Sequence, residues 1–228
     1  MILVLRGKGN YSVDHLRDEV VMVPILRPVV DEESIGKLID ACRVPRRIGV
    51  VMSAEVIDAI RGILDLTRCI SLVIGVGPST CGAVTSLFPT IRCVMPPQFF
   101  SGGVSALLKQ ECAMGEEVLV MRSKDYAEEA SITAPNCRIM EFGLYELIVD
   151  DEAIKRAASL LKDASAVVFT SPKVFLSFLS IVGRDSLKSK RLVAIGPTTG
   201  AAMIKNGFNP LVPPRFTIRD AVETALER

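Results

Sequence analysis

The apolar positions fall in short runs rich in β-branched residues: ILVLR at 2–6, VVMVP at 20–24, IGVVM at 48–52, LVIGV at 72–76 and IRCVM at 91–95. Five more follow at 117–122, 138–142, 166–170, 191–195 and 209–212. Each run is almost continuously hydrophobic, as a strand buried on both faces requires, and the stretches between them change to helical spacing. Residues 32–42 line up Ile35, Leu38, Ile39 and Cys42 on one face, and residues 151–162 do the same with Ile154, Ala157, Ala158 and Leu161. Strands alternating with helices predict an α/β chain whose parallel sheets are covered on both faces.

The pattern also runs twice. Ile2-Leu3-Val4-Leu5-Arg6 returns as Val118-Leu119-Val120-Met121-Arg122, and Val50-Val51-Met52-Ser53 returns as Val168-Phe169-Thr170-Ser171. Gly77-Pro78-Ser79-Thr80 returns as Gly196-Pro197-Thr198-Thr199, and Pro96-Pro97 as Pro213-Pro214, each followed by Phe. The order is kept and the offset stays between 116 and 121 residues. Two copies of one unit, each with five strands, imply two similar flavodoxin-like or Rossmann-like lobes and a cleft between them. Pro24 and Pro28 exclude a helix over 24–30, and Tyr145-Glu146-Leu147-Ile148-Val149 is its extended counterpart in the second copy. These two segments are expected to be the strands that cross between lobes.

Composition narrows the function classes. The chain has 228 residues, 49% hydrophobic and 23% charged, with a net charge of +1, so nothing in its bulk charge calls for nucleic acid or an anionic membrane. Its longest apolar run, ending at Leu26, stops at Arg27 and is too short to span a bilayer, and the N-terminus lacks the build of a signal peptide. The six cysteines (42, 69, 81, 93, 112 and 137) form no CxxC pair, which reads as free buried thiols in a reducing cytoplasm and not as a disulfide framework or zinc site. His15 is the single histidine, so neither a histidine triad nor a catalytic zinc is expected, and no metal or cofactor.

Candidate chemistry gathers where strands end. Ser53, Ser79 with Thr80, Thr170 with Ser171, and Thr198 with Thr199 each follow a strand and open a helix. A hydroxyl there is a good helix cap, which is the ordinary reading of any single one. Four of them at C-terminal ends of parallel strands mark where open α/β sheets bind ligands, with helix N-termini offering amide donors to carboxylate or phosphate. Gly75-Val76-Gly77 lacks the third glycine of a dinucleotide fingerprint, and Pro78 intrudes. Arg6 and Arg122 close the first strand of each copy, with Lys8 and Lys124 two residues on; they are either substrate contacts or solvated strand-end charges. Lys173 sits in a first helical turn, a place a cation occupies at some cost unless an anion is near, and Glu55 takes the matching place in the first copy. Tyr145 stands where the first copy has Pro24; it is either a packed aromatic or, neutral near pH 7, a proton donor. Tyr11 and Tyr126 carry no comparable signal.

VVFTSPKV, then VAIGPTTGAAMIKNGFNPLVPP, then a closing helix resembles uroporphyrinogen-III synthase, and the resemblance spans the whole chain, most sharply 166–226 with Tyr145. The first copy departs from it with Met52 where the family usually has Thr, and with Glu55. The resemblance implies one lobe of 1–24 with 150–228, a second of 30–144, and linkers 24–30 and 144–150 acting as a hinge. It implies a cytoplasmic, cofactor-free enzyme, expected to be a monomer, that closes hydroxymethylbilane to uroporphyrinogen III with loss of water and inversion of ring D. Tyr145 would donate to the leaving hydroxyl. Thr198, Thr199, Ser171, Lys173 and Thr170 would seat carboxylates from one lobe, and Ser53, Ser79 and Thr80 from the other, with Arg6 and Arg122 at the rim. The rival reading is a non-catalytic two-lobed protein that binds or senses a small anion; a nucleotide-sugar transferase would need longer lobes.

Overall fold

The computed structural model describes residues 1–7, 19–125 and 131–227; Lys8, Tyr11, His15 and Tyr126 lie outside the described residues. The chain divides into two compact units, Met1–Arg27 with Ile148–Arg228, and Pro28–Leu147. The chain passes between them twice.

In the first unit a four-stranded parallel sheet has the order β10-β9-β1-β2, from β1 (Ile2–Arg6), β2 (Val20–Pro24), β9 (Ala166–Phe169) and β10 (Arg191–Ala194). All five residues of β1 are buried, because strands flank it on both sides and helices cover both faces. The strand predicted at 209–212 reduces to one bridge, Leu211 to Val193. Pro210 has no N–H to give a ladder, and Pro213-Pro214 stop the chain from running on. Helices α5 (Asp151–Leu160), α6 (Pro172–Val182), α7 (Asp185–Lys188), α8 (Pro197–Lys205) and α9 (Ile218–Leu226) complete this unit. Phe169 at the end of β9 meets Phe175 of α6 edge to face at 5.2 Å, and Phe175 meets Phe208 at 5.7 Å. That geometry suits the ring quadrupoles and fixes the start of α6 over the sheet.

The second unit is built on a six-stranded sheet in the order β3-β8-β7-β4-β5-β6. Its strands are β3 (Leu26–Val30), β4 (Arg46–Val51), β5 (Ile70–Gly75), β6 (Arg92–Val94), β7 (Glu116–Ser123) and β8 (Cys137–Val149), and the five from β8 to β6 run parallel. The residues predicted to cross between lobes are therefore strand β3 and the end of β8. Helices α1 (Glu32–Ala41), α2 (Ala54–Ile60), α3 (Pro78–Leu87) and α4 (Ser101–Glu111) cover this sheet. Alternation along the strands divides the core. Val51, Val73, Leu119 and Met121 join one apolar cluster, while Ile48, Val50, Leu72, Ile74, Val118 and Val120 join another. Successive side chains point to opposite faces, so an unbroken apolar run supplies both.

The cysteines overturn the reading as free thiols. All six are paired, Cys42–Cys69, Cys81–Cys93 and Cys112–Cys137, with Cα atoms 5.1, 5.7 and 6.1 Å apart. These separations lie in the range a disulfide spans. The partners are 12 to 27 residues apart in sequence and meet only once helices fold back on strands, so the absence of CxxC spacing said nothing about them. Every cysteine belongs to the second unit. Among the described residues no helix is long and apolar enough to cross a membrane, and no group of acidic, Cys or His side chains is placed to hold a metal ion.

Candidate functional site

The C-terminal ends of the parallel strands carry most of the hydroxyls singled out from sequence, but not all in the role of cap. Ser171 is the expected cap: its backbone is extended and its Oγ accepts from the Val174 amide at 3.2 Å. Thr170, one residue earlier, instead donates its hydroxyl to the Leu5 carbonyl at 3.0 Å, binding the end of β9 to β1. Lys173 follows Pro172 in the first turn and is half-buried. At α8 the cap position belongs to Gly196, Pro197 is the first helical residue, and Thr198 and Thr199 are the second and third. Thr198 is exposed and Thr199 is buried.

The second unit repeats the arrangement. Gly77 is the cap residue of α3, Pro78 opens it, Ser79 is exposed and Thr80 is buried. Glycine at both caps, with no side chain turned back on the helix, leaves the amides of the second and third residues without an intrahelical acceptor. The first bonds back to the caps come from Cys81 and Gly200, each at 3.0 Å. In both units, then, the pair of small hydroxyl residues lies inside the first turn, and the exposed one has its amide pointing out of the helix N-terminus. Such ends attract anions through free donors and the helix dipole.

Two aromatics that the sequence reading passed over belong here. A methyl group placed on Gly77 would touch the Phe99 side chain at 3.5 Å, and one on Gly196 would touch Phe216 at 3.3 Å. Both rings are more than half exposed. The sequence did hold the signal, since Pro96-Pro97 and Pro213-Pro214 each precede a Phe two residues on.

Ser53 and Tyr145 form a direct pair among the candidates. Ser53 occupies the cap position of α2 but makes no cap bond; its Oγ lies 2.8 Å from the Tyr145 hydroxyl. Tyr145 is on β8 beside Ser123 of β7 and is 5% exposed. Burial pushes the phenol above its ordinary value of 10.0, and the Glu55 and Asp125 carboxylates push the same way against the hydroxyls of Ser53 and Ser123. The ring therefore keeps its proton at neutral pH and stays a donor. Lys124, next to this pair, forms a salt bridge with Asp31, which also caps α1.

Arg6 and Arg122 are not solvated strand ends, because both are buried. Arg6 donates to the Gly7 carbonyl at 3.0 Å, and Arg122 has the Glu141 carboxylate 3.7 Å away. A hollow lined by Arg46, Arg47 and Arg68 opens at the opposite, N-terminal ends of β4 and β5. Its positive charge is already answered by Glu117, Glu116 and Asp65, so it is a poor seat for an outside anion.

A sequence model of the family described as uroporphyrinogen-III synthase HemD matches residues 17–223. Two solved structures share the fold. The uroporphyrinogen-III synthetase of Helicobacter pylori has a TM-score of 0.63 at 14% identity, covering 98% of this chain and 97% of that one. A mutant uroporphyrinogen III synthase of Thermus thermophilus has a TM-score of 0.56 at 14% identity, covering 99% and 98%.

Proposed function

The chain belongs to the uroporphyrinogen-III synthase family, and from that premise we propose how its own residues serve the reaction. It is a cyclising lyase of tetrapyrrole biosynthesis. It takes hydroxymethylbilane, a linear tetrapyrrole with eight carboxylates, and closes it to uroporphyrinogen III with ring D inverted and one water lost. The observation that carries the residue assignment is the twin helix start, Gly-Pro-Ser-Thr at α3 and Gly-Pro-Thr-Thr at α8. Each gives uncapped amides at the C-terminal end of a parallel strand, which suits a substrate rich in carboxylates.

The two lobes, 1–24 with 150–228 and 30–144, are each flavodoxin-like and each offer seats of their own, with 24–30 and 144–150 as the linkers. Thr198, Thr199, Ser171, Lys173 and Thr170 seat side-chain carboxylates from the first lobe, and Ser79 and Thr80 from the second. Arg6 and Arg122 lend positive charge at the ends of β1 and β7, that of Arg122 shared with the Glu141 carboxylate. Tyr145 acts through Ser53: the phenol donates to the Ser53 hydroxyl, and that hydroxyl donates to the leaving oxygen of the hydroxymethyl group. The carbon–oxygen bond breaks, water departs, and the pyrrole nitrogen carries the resulting azafulvene cation. A substituted carbon of ring D attacks it, and the spiro intermediate fragments and recloses. The ring sheds a proton as it regains aromaticity, which restores the donor.

Since the linear substrate closes unaided to the unflipped isomer, the protein's contribution is to hold ends and stabilise charge. The enzyme works as a monomer in the cytoplasm, away from nucleic acid and membranes. Three disulfides in such a setting are known from intracellular proteins of hyperthermophiles.

The test is the isomer formed. Freshly generated hydroxymethylbilane is incubated with and without the protein, the products are oxidised, and the uroporphyrin isomers are separated by chromatography. A protein-dependent change from type I to type III is expected. Type I alone from folded protein would overturn the assignment in favour of a binding protein.

A further inference from the structure

The hydrophobic anchor of helix α3 lies in its second half, where Val84 is buried and Ala83 and Leu87 pack against the same cluster, while the first turn buries only Thr80 and Cys81. The first turn nevertheless carries Ser79 and Thr80, whose amides must keep a fixed direction if they are to hold a carboxylate. A seat displaced by about 1 Å loses much of its value.

The Cys81–Cys93 disulfide supplies the missing anchor. Cys81 is the fourth residue of α3, directly after the two uncapped amides, and its own amide is the first to bond back, to Gly77. Cys93 lies in β6, which pairs with β5 at Val73. The bond therefore joins the first turn of the helix to the edge of the sheet. Both sulfurs pack on Gly75, the last residue of β5: a methyl group there would sit 2.7 Å from the Cys81 sulfur and 3.1 Å from that of Cys93. Strand end, turn and helix start are thus held together within one sequence stretch, Gly75 to Cys81.

The other unit solves the same problem without a bond. At α8 the residue matching Cys81 is Gly200, where a methyl group would lie 3.2 Å from Val212, so close packing holds the turn. The other two disulfides lie elsewhere. Cys42 and Cys112 follow the ends of α1 and α4, Cys69 directly precedes β5 at the end of that strand opposite Gly75, and Cys137 opens β8.

We propose that the Cys81–Cys93 disulfide is a positioning element of the substrate seat at the start of α3, whereas Cys42–Cys69 and Cys112–Cys137 only stabilise the unit. This rests on the synthase reading and adds to it a covalent device for one of its seats.

The test compares Cys81→Ala/Cys93→Ala with Cys112→Ala/Cys137→Ala in the full chain, after peptide mapping without reductant has established the three bridges in the parent. The expected result is a KM for hydroxymethylbilane raised about fivefold or more in the first variant, with kcat within twofold of the parent. The second variant should lose thermal stability and keep its KM. An unchanged KM in the first, or equal KM shifts in both, would overturn the proposal. Hydrogen exchange at the amides of residues 79–81 gives a readout without substrate: faster exchange in the first variant and parental exchange in the second supports it, and equal exchange overturns it. That measurement stands even if the parent forms no type III product, a result that would sink the synthase reading alone. Cys81→Ser/Cys93→Ser serves as a second version; if neither version folded, the bridge would be a requirement of the whole unit and the positioning claim would fall.

Discussion

Replacing Tyr145 with Phe removes one oxygen and keeps a ring that is 95% buried, so the change isolates the hydroxyl. What is lost is a 2.8 Å bond to the Ser53 hydroxyl, together with the hydrogen bond of the Ser123 hydroxyl. A neutral hydrogen bond contributes about 1 kcal/mol net, and a stranded buried partner adds to the loss. Ser53, however, stands at the cap position of α2 with its cap bond unused. Once released it can turn to the helix amides, and a serine cap contributes about 1 kcal/mol. The two effects nearly offset each other, so Tyr145→Phe should lower stability by no more than about 1 kcal/mol in urea unfolding. Turnover should fall much further. A positioned acid contributes about 10²- to 10⁴-fold, and a substrate that loses water so readily should come near the bottom of that range. Ser53→Ala should produce the same fall in kcat, because it breaks the same relay. The double variant should be no slower than either single one, since the two act as one unit. The assay is the initial rate of type III product alongside urea midpoints for all four proteins. Parental kcat in Tyr145→Phe, or independent multiplication of the two single effects, would refute the relay.

Three further outcomes can be checked. The folded pKa of Tyr145 lies above its ordinary 10.0, so its contribution to stability is whole below pH 10 and is lost as pH rises toward the raised value. Urea midpoints should therefore fall more steeply with alkali in the parent than in Tyr145→Phe, and identical slopes would contradict the buried phenol. Cys112→Ala/Cys137→Ala opens a loop of 25 residues, for which loop entropy gives about 3.5 kcal/mol. Scanning calorimetry should place the melting of the variant more than about 5 °C lower, and a shift under about 1 °C would mean that the bridge does not stabilise. Gly103→Ala would set a methyl group 2.0 Å from the Gln98 carbonyl oxygen and should destabilise by about 1–3 kcal/mol. Gly36→Ala, in open space inside α1, should stabilise by about 0.4–1 kcal/mol by the same measurement. Reversal of that order would refute the close approach.

The sheet was legible because an almost unbroken apolar run leaves a clear mark: β1, buried along its whole length, and the half-buried edge strand β2 both begin and end at the residues their runs predict. The last run misled because Leu211 and Val212 are apolar for packing while Pro210 denies them a ladder. The site was legible as a set of positions and less so as a set of roles. Ser171 and Ser53 hold matching places in the repeat, yet one caps its helix and the other serves Tyr145, because a tyrosine in β8 approaches one and not the other. At Gly77 and Gly196, a proline in the first helical position puts the cap two residues upstream of the first hydroxyl. The disulfides could not be read from spacing, since their partners meet only through tertiary structure; the confinement of an even number of cysteines to 42–137 was the available hint.

The sheet order of the first unit carries a consequence for synthesis on the ribosome. The apolar strand β1 emerges first and can pair at once with β2, but its other edge belongs to β9 at Ala166–Phe169. At about 5–20 residues per second, some 160 residues of translation leave that edge open for roughly ten to thirty seconds. The inserted unit, by contrast, has all its strands from β3 to β8 in hand by Val149 and can complete its own core and crosslinks meanwhile. Nascent chains stalled at positions between about 100 and 165 should thus expose Ile2–Leu5 as a bare strand edge, the kind of surface that invites aggregation or a holding chaperone.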